Sequence, residues 1–236
     1  MEYKGQALQC STLGNNITEL IFDLQDGSVN KFDRNSLNEL NEVVKKLEKD
    51  QSVKGLLISS GKDSFIVGAD INQFLGTFKE PLDKLVQWVK NSQKVFSNLE
   101  NLNIPSVCAI NGFALGGGFE LCLACSYRVA STEAKIGLPE VKLGLLPGFG
   151  GTARLPRLIG ADNAIEWIAG GKDNNPENAL KAGAVDSVVE PEILRDASLD
   201  LLARAIKGEL DWESKRKEKQ QPLMLNENEA DRKSVV

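Results

Sequence analysis

Apolar runs of strand length alternate with helical stripes along this chain, and that alternation narrows the possible folds more than any other feature. Ile17–Phe22 is a short apolar run, followed by a polar turn at Asp26-Gly27-Ser28. Leu37, Leu40, Val43, Val44 and Leu47 then recur at helical spacing, with Ser36 and Glu39 in the form of a capping box and an end expected near Lys49. Residues 53–59 are again apolar and of strand length. Strand, helix and strand at this spacing predict a parallel crossover unit.

The alternation continues. Leu82, Leu85, Val86, Val89, Phe96 and Leu99 form a second helical stripe, and Ser106–Ile110 is an apolar run behind Pro105. A glycine turn leads into a helix over 120–125, and a strand is expected over 127–130. Asp162 is placed to cap a helix over 163–169, and Asn175-Pro176 opens another through Leu180. Residues 185–189 read as the last strand and 192–206 as the last helix. Residues 214–236 differ in kind: Lys215-Arg216-Lys217-Glu218-Lys219 and few apolar side chains suggest a solvated helix end or a linker. The sequence predicts one α/β domain over 1–213 with mainly parallel strands, followed by this polar segment.

Composition narrows the chemistry. The 236 residues include no histidine, which removes Ser-His-Asp and Cys-His nucleophiles, HExxH metal sites and imidazole bases. Carboxylates become the first candidates for proton transfer. With 28 Lys+Arg against 33 Asp+Glu the net charge is −5, so no basic face for nucleic acid is expected. The charge-free stretch 101–119 holds three Asn, one Pro and four Gly, a poor membrane span, and MEYKG lacks a signal-peptide core, so a cytoplasmic location is expected. Cys122 and Cys125 form a CxxC, but a zinc site lacks further ligands, and Cys10, Cys108, Cys122 and Cys125 read as buried reduced thiols. No metal is expected.

Two stretches stand out as chemistry: Phe65-Ile66-Val67-Gly68-Ala69-Asp70-Ile71 and Asn111-Gly112-Phe113-Ala114-Leu115-Gly116-Gly117-Gly118-Phe119-Glu120. Glycines directly before a helix let backbone N–H groups approach a ligand, although a tight packed turn is the plainer reading. Glu120 in the first turn of an apolar helix, together with Glu140 in the apolar stretch 136–141, makes a candidate acid-base pair. Gly148-Phe149-Gly150-Gly151-Thr152-Ala153 fits a dinucleotide fingerprint, but Pro147 occupies the join where a strand should enter.

The ordered set FIVGADI, NGFALGGGFE and IGLPEVKLGLLPGFGGTARLPRLIG resembles the enoyl-CoA hydratase/isomerase (crotonase) superfamily over about 17–207. MEYKG, GSVNKFD, SFIVGADI and LDW resemble, within it, the N-terminal hydratase region of multifunctional bacterial fatty-acid oxidation subunits. The resemblance implies a ClpP/crotonase-like α/β fold, a spiral of ββα units forming two near-perpendicular sheets surrounded by helices. It implies an oxyanion hole from the N–H groups of Ala69 and Gly117, with Ala69, Asp70, Ile71, Asn72 and Gly117 along the CoA path and Asn30-Lys31-Phe32 bordering it. Glu140 would exchange a proton with the α-carbon while Glu120 activates water held with help from Gly148.

The implied reaction is hydration of 2-trans-enoyl-CoA to 3-hydroxyacyl-CoA in β-oxidation, with isomerisation of 3-enoyl-CoA to 2-enoyl-CoA beside it. No cofactor is required for either reaction. NAD is expected only for a 3-hydroxyacyl-CoA dehydrogenase region that this chain does not reach, and a 3-ketoacyl-CoA thiolase subunit and a homo-oligomer are the implied partners. A chain stopping at this point is expected to have a partly open acyl site and reduced or absent activity. A non-catalytic acyl-CoA-binding or assembly domain, and other acyl-CoA reactions of the superfamily, stay open at this point.

Overall fold

A computed structural model describes residues 1–77 and 79–223. The strands β1 (Tyr3–Lys4), β2 (Leu8–Thr12) and β3 (Ile17–Phe22) pair antiparallel, and helix α1 (Arg34–Lys49) crosses over to β4 (Gly55–Ser60), which runs parallel to β3. Next come helices α2 (Ile71–Thr77) and α3 (Leu82–Glu100), strand β5 (Ser106–Ile110), the short β6 (Phe113–Leu115), helix α4 (Gly117–Ala124), and strands β7 (Tyr127–Ser131) and β8 (Lys135–Gly137). After a 3₁₀ turn at Pro139–Leu143 the chain forms α5 (Gly151–Ile159), α6 (Ala161–Gly170), α7 (Pro176–Ala182), β9 (Ser187–Val189), α8 (Leu194–Ile206) and α9 (Trp212–Gln220).

The strands make a seven-stranded sheet in the order β1-β2-β3-β4-β5-β7-β9 and a second sheet of β6 and β8. Alternation along β4 and β5 explains how one sheet serves two cores. Leu56, Ile58, Cys108 and Ile110 point into the main core beneath α1, α3 and α4, while Leu57, Val107 and Ala109 point to the opposite face, against Leu194, Leu202 and Ala205 of α8. Such double-sided burial is what continuous apolar strands specify. Among the described residues no helix is long and apolar enough to cross a membrane.

Three local expectations change. The capping box of α1 lies three residues earlier: Asp33 Oδ1 accepts from Ser36 N at 2.7 Å and Ser36 Oγ from Asp33 N at 2.9 Å. Glu39 is instead buried, accepting from the backbone N–H groups of Gln6, Ala7 and Leu8 and fastening the N-terminal hairpin to α1. Asp162 is not a cap, because only Gly160 separates α5 from α6 and the helix begins at Ala161. The polar segment is not wholly solvated either. Its first part continues α9, which packs on α5 and buries Lys219, and the boundary drawn at 213 falls inside that helix. The remainder of that segment beyond Leu223 lies outside the described residues.

Candidate active site

The glycine run acts where α4 meets the strand ahead of it. Gly116 takes φ +51° and donates to the carbonyl of Gly137 at 2.9 Å, and its own carbonyl accepts from Glu120 N at 2.9 Å, closing the first helical turn. The N–H of Gly117 shares a trans peptide with that carbonyl, so it points out of the helix N-terminus, where no intrahelical acceptor exists. Gly118 must lack a side chain: a Cβ there would stand 2.1 Å from the Ile66 carbonyl. Gly118 thereby lets α4 abut the extended segment that leads to Ala69.

Ala69 is set by the same peptide geometry. The carbonyl of Gly68 accepts from Phe32 N at 2.7 Å and Asp70 N donates to the Phe32 carbonyl at 2.8 Å, so the N–H of Ala69, trans to the Gly68 carbonyl, turns away from Phe32 toward the cavity that Ala69 lines. Behind this strand, buried Asn30 uses its amide fully: it accepts from Leu24 N and donates to the carbonyls of Phe22 and Phe65 and to Ser60 Oγ. Lys31 pairs with Asp70 at 2.8 Å, which holds that carboxyl below its ordinary range. Asn30, Lys31 and Phe32 therefore brace the strand from behind and do not line the cavity. Asn72 is exposed and stands outside the lining as well, its N–H bonded to Asp70 Oδ1 at 2.9 Å.

A cavity of about 520 Å³ is lined by Gly68, Ala69, Gly116 and Gly117 together with Pro139, Glu140 and Leu143. Its lining includes Glu120, Gly148 and Phe149. Glu120 is only 1% exposed, and its Oε1 accepts from Phe149 N at 2.8 Å and Gly151 N at 2.7 Å. Gly148 keeps its carbonyl outward, accepting from Gln93 Nε2 at 2.9 Å, which turns the N–H of Phe149 inward. Glu140 stands on the 3₁₀ turn beside Gly116, with its Oε2 buried and without a hydrogen-bond partner among the described residues.

Burial first, and the neighbouring Glu140 second, push the Glu120 carboxyl up to about 8, against the pull of the Gly151 and Phe149 N–H groups and Arg154. Burial likewise raises Glu140, opposed by its own backbone N–H. Two carboxyls with raised proton affinities on one cavity are suited to passing a proton near neutral pH. With them, an N–H at a helix N-terminus and another from the extended segment at Ala69 suit an oxygen that gains negative charge.

Several lining residues were not singled out from the sequence. Leu85 and Val89 of the helical stripe wall the cavity together with Trp88, which that stripe did not include. Only the C-terminal half of that stripe enters the core, through Phe96 and Leu99, while Leu82 is 74% exposed. Leu143, Leu145, Leu146 and Phe149 come from a loop whose apolarity was the available signal. No strand precedes Gly148, so the dinucleotide fingerprint lacks its required context.

The enoyl-CoA hydratase/isomerase family profile matches residues 15–229. The chain is 58% identical over 226 residues to the fatty acid oxidation complex subunit alpha of Pseudomonas entomophila, covering 96% of this chain and 32% of that protein, and it is equally similar to the Pseudomonas putida GB-1 protein of that name. It thus spans about a third of the length of these curated relatives. Among solved structures, an enoyl-CoA hydratase from Bacillus anthracis superposes with a TM-score of 0.78 at 26% identity, covering 92% of this chain and 89% of that one. Pseudomonas aeruginosa DspI gives 0.79 at 30% identity, covering 92% and 80%. With this crotonase-like architecture, and with a profile match over most of its length, the chain belongs to the enoyl-CoA hydratase/isomerase family.

Proposed function

We propose that this cavity adds water across the double bond of 2-trans-enoyl-CoA, giving 3-hydroxyacyl-CoA in fatty-acid β-oxidation. The observation that carries the reading is the pairing of the buried Glu120 carboxyl with the half-buried Glu140 carboxyl on a cavity rimmed by the outward N–H groups of Ala69 and Gly117. The thioester carbonyl accepts from those two N–H groups, which stabilise the enolate-like charge as it forms. Glu120 takes a proton from the attacking water as the Cβ–O bond forms, with the N–H of Gly148 helping to hold that water. Glu140 delivers a proton to the α-carbon. Asp70, Ile71 and Asn72 continue from Ala69 toward the mouth and form the CoA path.

The same arrangement supports isomerisation. A carboxyl such as Glu140, with a buried oxygen that no described group occupies, can move a proton between the α and γ carbons of 3-enoyl-CoA. Neither reaction in this family needs a cofactor. Because the relatives are about three times longer, we also propose that residues 1–213, together with the rest of α9, are the hydratase domain and that the remainder of 214–236 leads toward a 3-hydroxyacyl-CoA dehydrogenase region using NAD. A 3-ketoacyl-CoA thiolase subunit, a homo-oligomer and a cytoplasmic location belong to that proposal.

Steady-state hydration of crotonyl-CoA tests the reading. Glu120→Gln or Glu140→Gln should each lower kcat by about 10²–10⁴. Wild-type rates in both variants contradict it, and tight acyl-CoA binding without turnover supports a non-catalytic binding domain instead.

A further inference from the structure

The loop that grips Glu120 is held from behind by buried charges to which the reaction above assigns no role. Arg154 Nη1 donates to the Phe149 carbonyl at 3.0 Å, fixing the peptide that lies between the two whose N–H groups bind Glu120 Oε1. Its Nε pairs with Glu100 at 2.7 Å and its Nη2 donates to Ser97 Oγ at 3.2 Å, both from α3. Gly150 makes room for this fork, since a Cβ there would stand 2.1 Å from Nη1 and its φ is +112°. On the far side of Glu100, Lys219 Nζ of α9 lies 3.3 Å away and donates to the carbonyls of Leu123 and Cys125 at 3.0 and 2.9 Å, at the C-terminal end of α4.

These contacts fix the Arg154 guanidinium in one orientation. A guanidinium directs three N–H groups in one plane, whereas an ammonium cannot reproduce those directions. The Arg154 and Glu100 side chains are each 9% exposed, so little solvent screening weakens their pairing. Lys219 touches both Glu100 and the end of the helix that carries Glu120.

We propose that Arg154, oriented by Glu100 and Lys219, is the positioning residue for Glu120: it holds the Phe149–Gly151 loop so that two N–H groups converge on one carboxyl oxygen, and it ties the docking of α9 to the site. The kinetic part of this proposal rests on the hydration reading; the structural part does not. The charged groups facing Glu120 are Glu140 from the 3₁₀ turn and Arg154 from α5, with Glu100 and Lys219 behind Arg154.

The test combines crotonyl-CoA kinetics across pH with the NMR titration of Glu120 in protein labelled with ¹³C-carboxyl glutamate, its signal assigned by its loss in Glu120→Gln. Arg154→Gln should lower kcat by about 10–100-fold while KM stays within about twofold, because misplacing a reacting group acts on the transition state. The Glu120 midpoint should rise. Arg154→Lys should restore most of the midpoint, since the charge returns, but only part of kcat. Glu100→Gln should fall between. Wild-type kcat and an unmoved midpoint in Arg154→Gln overturn the proposal, even if the melting temperature drops. Should Arg154→Gln fail to fold, the same null result in both Arg154→Lys and Glu100→Gln overturns it. Should this chain not hydrate crotonyl-CoA, the outcome expected of a partly open acyl site, the Glu120 midpoint alone decides whether Arg154 positions it.

Discussion

Glu120 and Glu140 reach one cavity from two walls, α4 and the 3₁₀ turn Pro139–Leu143, and the walls differ in where their apolar side chains go. Every residue of α4 is buried, with Leu121 and Leu123 wholly inside the core. On the other wall Val141, Leu143 and Leu146 are 39%, 56% and 70% exposed. Apolar sequence thus has two meanings here. In α4 it supplies the packing that fixes Glu120 beneath two N–H donors, and in 139–149 it leaves Leu143 and Leu146 exposed on the cavity lining while Glu140 keeps an oxygen without a partner among the described residues. One carboxyl is anchored by the core, and the other stands on the rim.

Breaking the first wall should cost most. Leu121→Ala should destabilise the protein by about 2–5 kcal/mol, read by denaturant unfolding, because a cavity opens in a packed core. A second contrast is electrostatic. A carboxyl raised above its ordinary value holds its proton more tightly in the folded chain, so folding stability falls as pH climbs from 4.5 toward about 8. Glu120→Gln removes that penalty, and its melting temperature relative to wild type should rise between pH 5 and pH 9. Glu140→Gln should show the same sign to a smaller extent, since that group is less buried. An equal or opposite trend would erase the distinction between the walls.

Gly118→Ala probes the contact between α4 and the Ile66 strand. Overpacking against that carbonyl should cost about 1–3 kcal/mol and lower kcat by separating Gly117 from Ala69. The matching change on the other wall, Gly148→Ala, meets open space and should leave the melting temperature in place. Smallest of all, Leu146→Ser should change stability by less than about 0.5 kcal/mol. Its effect belongs in KM, which should rise for longer acyl chains.

Much of this was legible before the structure, and the residues show why. Ile17–Phe22 and Ser106–Ile110 are mostly apolar and form strands buried on both faces, with Thr18, Glu19 and Ser106 as their polar members. Glu120 and Glu140 could be noticed because a carboxylate in an apolar run needs a reason. Other features depended on partners far away in sequence. The period that placed Leu85 and Val89 with Phe96 cannot tell core from cavity wall, because both are apolar neighbours. Lys215 to Lys219 reads as solvated until the carbonyls at the end of α4 and the Glu100 carboxylate appear beside Lys219. Nothing local to Glu39 reveals the three N–H groups that it binds around thirty residues earlier.

The division of labour between the two walls can be measured without hydration. Butyryl-CoA in D₂O, followed by NMR, reports exchange of the α-proton alone, a step assigned to Glu140 and assisted by the N–H groups of Ala69 and Gly117. Glu120→Gln should still exchange that proton at close to the wild-type rate while losing hydration, and Glu140→Gln should lose both. Exchange that survives in Glu140→Gln, or disappears with Glu120→Gln alone, would contradict the assignment.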